Sequence, residues 1–182
     1  MPSDEIVIAQ TKSWITKVVV GCNFCPFAAK EMKRGSVHYE VIRKGTSSVK
    51  LLLTTAFRQL DHDNTMETTL LIFPLSFKSF DAYLELVATS EKHLIKSGYE
   101  GIYQLASFHP DYLFEGTTDE DPANYTNRSL YPMLHILREA SLTIAIDQHP
   151  NAEGIPDRNI SYARRKGLAH MQLLRETCFG GE

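Results

Sequence analysis

Three short apolar runs of strand length, Val37–Arg43, Thr68–Phe73 and Ile102–Phe108, are separated by segments whose apolar residues recur at helical spacing. That alternation constrains the chain more than any other feature. Val49, Leu52, Leu53, Ala56, Phe57 and Leu60 follow the i, i+3, i+4, i+7 rule from a start near Thr46. Phe80, Tyr83, Leu84, Val87, Leu94 and Ile95 repeat it before Gly98. Thr68–Phe73 is almost continuously apolar, as a strand covered on both faces requires. Strand–helix–strand alternation favours crossover connections and a small sheet with helices packed on it. The expected fold is therefore α+β or small α/β. It is a single domain over residues 1–182, with a sheet of three strands or four, in a ferredoxin-like or a three-layer arrangement.

The flanking segments read as helix. Ser3-Asp4 can cap a first helix that ends at Gly21, and Cys25-Pro26 leads into a short helix ending near Gly35. After the third strand and a long loop, Ser129 or Tyr131 is expected to cap a helix through about Ile146, with Pro132 in its first turn. A last helical stretch starts at Pro156 and is interrupted at Gly167, and residues 177–182 are expected to form a disordered tail.

Composition narrows the function classes. With 43% hydrophobic and 23% charged residues and a net charge of -3, the chain carries no electrostatic footprint for nucleic acid. Its apolar runs are too short to cross a bilayer. Met1–Glu5 lacks a basic leader and an apolar core, so a cytoplasmic protein is expected. Three cysteines do not make a disulfide framework. Walker, Gly-x-Gly-x-x-Gly and Gly-x-Ser-x-Gly patterns are absent, which leaves a nucleotide cofactor or a serine nucleophile without support.

The densest polar chemistry runs from His109 through Asp111 and Tyr112 to Asn124, Asn127 and Arg128, then His135, Arg138 and Glu139. On the expected helix, His135, Arg138 and Glu139 share one side. The free N–H groups at that helix start, reinforced by Arg128, would hold a phosphate or carboxylate. His109 and His135 are the candidate acid/base residues, with Tyr112, Asn124, Asn127 and Arg138 positioning the substrate. The expectation is a small enzyme, hydrolase or transferase, acting on a small anionic metabolite without metal or cofactor. A divalent metal at His109, Asp111, His135 and Glu139 is an alternative, as is a non-catalytic ligand- or partner-binding module using the same pocket. Cys22-Asn-Phe-Cys25 is a Cys-x-x-Cys sequence at the start of a short helix, so thiol redox chemistry is a further alternative and Cys25 a candidate nucleophile.

Six segments occur in order: Gly21–Ala28, Glu67–Leu71, Gln104–Tyr112, Asn124–Ser129, Tyr131–Ala140 and Ile155–Ile160. Together they resemble the bacterial domain of unknown function 1415 family, over about Trp14 to Gly167. The resemblance implies a stand-alone bacterial cytoplasmic protein. It marks the His109 and Asn124–Glu139 segments and the Cys25 position as family signatures, whereas the Cys22 position is often apolar. It implies no activity.

Overall fold

The computed structural model describes residues 2–43 and 49–180. Its centre is a four-stranded sheet of β1 (Val37–Val41), β2 (Thr68–Ile72), β3 (Tyr103–Phe108) and β4 (Met133–Arg138), in the order β1-β2-β4-β3. β1 and β2 pair in parallel, and β4 pairs antiparallel with both β2 and β3. The three strands visible in the sequence therefore run the same way, and a fourth is inserted between two of them.

β4 corrects the expectation of a single helix from Ser129 or Tyr131 to Ile146. Met133-Leu134-His135-Ile136-Leu137 is a short apolar run, and at that length periodicity cannot separate a buried strand from a buried helix. Pairing on both sides decides the matter, because a central strand needs apolar side chains on both faces. Leu134 and Ile136 enter one core and Met133 enters the other. Helix α5 (Glu139–Asp147) begins only after an extended Arg138, at φ −74° and ψ 119°.

Helices cover both faces, so of the two expected arrangements the chain adopts the three-layer one. On one face, α3 (Val49–His62) and α4 (Phe80–Lys96) bury Leu53, Phe57, Leu60, Tyr83 and Leu86 against Leu71, Phe73, Leu134 and Ile136. Thr46, the expected start of α3, lies outside the described residues. On the other face, α1 (Asp4–Trp14) continues into a π-helical segment, Ile15–Val20, which brings Ile15, Val18 and Val19 onto Leu70, Ile72 and Met133. Ser3 caps α1 as its sequence suggests, accepting the Ile6 N–H at 3.4 Å.

The short helix α2 (Ala28–Arg34) ends at Gly35, whose φ of 67° a side chain would resist. α6 (Ile155–Lys166) and α7 (Leu168–Glu176), divided at Gly167, close this layer with Ala163 and Met171. Residues 177–180 are not a loose tail. Cys178 is fully buried, and the Phe179 carbonyl accepts the Gln10 side-chain amide at 2.8 Å. Residues 181 and 182 lie outside the described set. Among the described residues no helix is long and apolar enough to cross a membrane.

Candidate functional site

The polar segment from His109 to Arg128 folds onto itself. His109 is fully buried; its Nε2 donates to the Phe77 carbonyl at 2.8 Å and its Nδ1 accepts the Asp111 N–H at 3.0 Å. The ring lies 5.0 Å from Tyr83 and 5.3 Å from Phe80, and burial lowers its pKa. Both nitrogens are occupied, and the bond from Nε2 helps hold Phe77 at a φ of 56°, which non-glycine residues rarely adopt. Asn124, also fully buried, accepts from the Phe114 N–H at 3.0 Å and donates to the Thr118 carbonyl at 2.8 Å, with the Thr117 hydroxyl, 2.8 Å from the Phe114 carbonyl, 3.0 Å from the Asn124 oxygen. Asn127 donates to the Ser107 carbonyl at 3.2 Å. Arg128 donates through Nε to the Tyr112 carbonyl at 2.9 Å, reaches Asp119 at 3.4 Å and lies over the Tyr125 ring. Tyr112 packs its ring against Phe80 and Phe114.

The structure thus gathers His109, Tyr112, Asn124, Asn127 and Arg128, but as the hydrogen-bonded lining of their own loop. The expected anion clamp has no helix start to build on. A short 3-10 turn, Pro122–Thr126, precedes Arg128, and β4 follows it.

His135 and Arg138 part company on β4, because residues an odd number apart face opposite sides of a strand. Arg138 closes the C-terminal end of α3. Its guanidinium donates to the Leu60, Asp63 and Met66 carbonyls and lies over the Tyr103 ring. A cation belongs there, at the negative end of a helix. The alternative metal set of His109, Asp111, His135 and Glu139 does not assemble. Among the described residues no three His, Cys, Asp or Glu side chains come together in a metal-binding group.

His135 takes the other direction, toward α1 and α2, flanked in register by Leu70 of β2 and Ala106 of β3. Its Nε2 lies 2.5 Å from the Thr68 hydroxyl, and that oxygen is also 2.6 Å from the Ile136 carbonyl. A hydroxyl has one proton and a carbonyl none. Thr68 must therefore donate to Ile136, and His135 must donate its Nε2 proton to Thr68. The Nδ1 atom is left as a bare lone pair.

Burial alone pushes the His135 pKa from 6.5 down to about 4. The sealed, unpaired side-chain atoms among the described residues are Glu40 Oε2, Glu67 Oε1 and Thr69 Oγ1. His135 Nδ1 has no hydrogen-bond partner among the described residues, and the partly buried ring borders a partly open cavity of about 230 Å³. Apolar cavities of about 150 Å³ already admit benzene, so this one has room for a ligand group.

Trp14, Val19, Leu70, Phe108 and Leu137 make the cavity wall largely apolar, and Cys25 is part of it. Through Phe27, Glu31, Thr68, Leu137 and Leu142 the cavity adjoins an open cleft of about 400 Å³ between α2 and α5, which carries Lys30, Arg34, Glu67 and His149. Through Val19, Cys25 and Phe108 it adjoins a side pocket of about 320 Å³ lined by Phe24, Phe114, Asn127, Ile155 and Asn159. The three hollows neighbour one another through these shared wall residues on one face of the sheet, and together are termed the trough.

Cys25 sits where two of them meet. Burial raises its thiol pKa, and the Ala28 N–H that follows it in the turn donates to the Cys25 carbonyl at 3.3 Å. Cys22 packs in the same core cluster as Tyr162 and lines none of the three hollows, and burial raises its pKa as well. Dithiol exchange calls for a lowered thiol pKa, and both cysteines depart in the other direction.

Thr68, Phe27 and Glu31 are site residues that sequence reasoning passed over. A histidine alone in the apolar run Met133–Leu137 was the available signal, since a buried polar group must find a partner.

The family model described as a protein of unknown function (DUF1415) matches residues 6–173. The chain belongs to the domain of unknown function 1415 family. Comparison with curated proteins and with solved structures gives no significant match. Each of the six segments that carry the DUF1415 resemblance supplies trough wall: Cys25, Thr68, Phe108, Asn127, His135 and Asn159 come one from each.

Two outcomes follow from these environments. Asn124→Ala strands the part-buried Phe114 N–H and removes the bond to the Thr118 carbonyl, so chemical denaturation should show a loss of about 1–3 kcal/mol. The His135 pKa is depressed in the fold, so its stabilising contribution is complete above 6.5, the ordinary value, and is lost as pH falls from there toward 4. The loss should be of the order of 3 kcal/mol. Denaturation curves of His135→Phe should lack this part of the acid dependence.

Proposed function

We infer that the trough binds a small molecule with an apolar body and an anionic end, and that His135 serves as the acid/base group acting on it. The observation that carries this reading is the unpaired Nδ1 of a neutral imidazole opening onto an apolar cavity. A buried lone pair without a donor costs free energy that a ligand O–H or N–H would recover. Tied through Nε2 to Thr68, the ring is held in the tautomer that a proton acceptor needs.

The walls support the same reading. α5 is predominantly apolar yet buries none of its residues, and its Leu142 and Ile144 wall the cleft. A ligand lying there would complete that burial at roughly 25 cal/mol for each Å² of apolar surface removed from water. Lys30 and Arg34 offer positive charge at the mouth, though Glu31 lies close to both. The anion-binding role expected of Arg128 thus passes to these two residues. The setting we assign is the bacterial cytosol, where the three free thiols would remain reduced.

Thermal shift with linear carboxylates, with and without a mid-chain hydroxyl, tests the reading. A ligand at 100 times its dissociation constant stabilises by about 2.7 kcal/mol. Hydroxylated chains such as 3-hydroxyoctanoate should stabilise the protein more than their parents, and His135→Phe should erase the difference. Equal shifts in both proteins would remove His135 from the site. Turnover of such a ligand separates an enzyme from a binding module that uses the same trough.

A further inference from the structure

We infer that the inner cavity is the tail site for a straight acyl chain of medium length, and that Val19, in the wall between this cavity and the side pocket, sets the longest chain accepted. This rests on the trough being a ligand site, as inferred above, and names its substrate class as medium-chain carboxylates.

The cavity itself points to a ligand. Native interiors pack with few voids larger than a water molecule, and apolar side chains facing empty space lose contacts they would otherwise make. Here Trp14, Ile15, Leu70, Phe108 and Leu142 face about 230 Å³ that no side chain fills. A wall so largely apolar offers water too few hydrogen bonds, whereas an acyl chain needs none.

The backbone is shaped around this space. Ile15 and Val19 reach the wall from the π-helical segment, and Trp14 from the residue before it. Such turns are rare and occur frequently at functional sites. This one closes at Gly21, whose N–H donates to the Thr16 carbonyl at 3.0 Å. A Cβ on Gly21 would stand 2.3 Å from the Lys17 carbonyl oxygen, so the closure needs glycine.

Direction and length follow from the neighbouring hollows. The cleft, which shares Phe27, Thr68 and Leu142 with the cavity, carries Lys30 and Arg34 with Glu31 beside them. The side pocket shares Val19, Cys25 and Phe108 with the cavity and is lined by no charged residue. A carboxylate therefore stays at the cleft, and the chain runs inward until that shared wall stops it. His135, bonded to Thr68 on the cleft side, lies beside its first carbons. The six carbons of benzene occupy a cavity of about 150 Å³, so about 230 Å³ takes roughly eight or nine carbons. With the carboxyl carbon outside, decanoate is the longest acid held. Phe108 is fixed in the wall by its edge-to-face contact with Trp14, at 5.2 Å between ring centroids, which leaves Val19 as the wall residue carried by the π turn.

The test titrates the full chain with straight carboxylates from hexanoate to tetradecanoate by isothermal calorimetry, below their micelle concentrations. Affinity should rise about fourfold per methylene, the gain of one buried CH₂, up to decanoate, and fall for longer chains. Val19→Ala should join the cavity to the side pocket of about 320 Å³ and bind tetradecanoate at least about tenfold more tightly than the parent does. Val19→Leu should shorten the limit to octanoate, which keeps the test decisive if the alanine variant fails to fold. No binding of these acids, affinity that keeps rising through tetradecanoate, binding at several sites per chain, or a limit unmoved by either variant overturns the proposal. If 3-hydroxyoctanoate still stabilises the protein through His135 in any of those cases, the chain-length wall fails and the ligand reading stands. If neither the acids nor 3-hydroxyoctanoate binds, both fail.

Discussion

Thr68 has a single hydroxyl proton and two close partners, the Ile136 carbonyl and the His135 imidazole, and the chemistry of this face of the sheet depends on how that proton is placed. Given to the carbonyl, it obliges the imidazole to donate and leaves Nδ1 bare. The contact spans β2 and β4, so it exists only because β4 is inserted beside β2 in a register that brings His135 next to Leu70. A one-residue slip would turn His135 into the opposite core, against α3 and α4. Strand pairing, tautomer and cavity chemistry are thus a single constraint.

That constraint explains why the first three strands were legible in the sequence and the fourth was not. Thr68–Phe73 and Ile102–Phe108 stand between amphipathic helices, so period and length agree with strand. Met133–Leu137 runs directly into Glu139–Asp147 without a turn, and the joined segment imitates one long helix. The boundary is set instead by Arg138, whose guanidinium is fastened to carbonyls at the far end of α3, some 70 positions earlier. Nothing local to the segment announces such a partner.

The site was legible in its parts and not in its assembly. His135, Asn127, Cys25 and Arg138 were singled out from the sequence, and all four line the trough, Arg138 at the cleft. The weight given to His109, Asn124 and Arg128 followed the density of polar residues. A long loop crossing a buried face needs that density for another reason: each backbone N–H and C=O removed from water must find a partner. Asn124 and Arg128 supply such partners. Local hydrogen bonding and ligand binding draw on the same residue types, so composition alone does not separate them. The trough chemistry, by contrast, is assembled from β2, β4 and the turn before α2, which meet only in three dimensions.

Within that trough, polarity is graded. Charge collects at the cleft, the inner cavity is apolar apart from the Thr68–His135 pair, Cys25 and Glu31 on the cleft side, and the side pocket is largely apolar with Thr126, Asn127 and Asn159 in its wall. An imidazole kept neutral by burial is suited to accept a proton from a bound group and unsuited to serve as a fixed cation. The most direct measurement is nitrogen-15 NMR of the His135 ring across a pH titration. It should show a proton on Nε2, an unprotonated Nδ1, and a ring that stays neutral well below pH 6.5 and titrates near 4. A proton on Nδ1, or titration near 6.5, would contradict the bare acceptor on which the proposed chemistry stands.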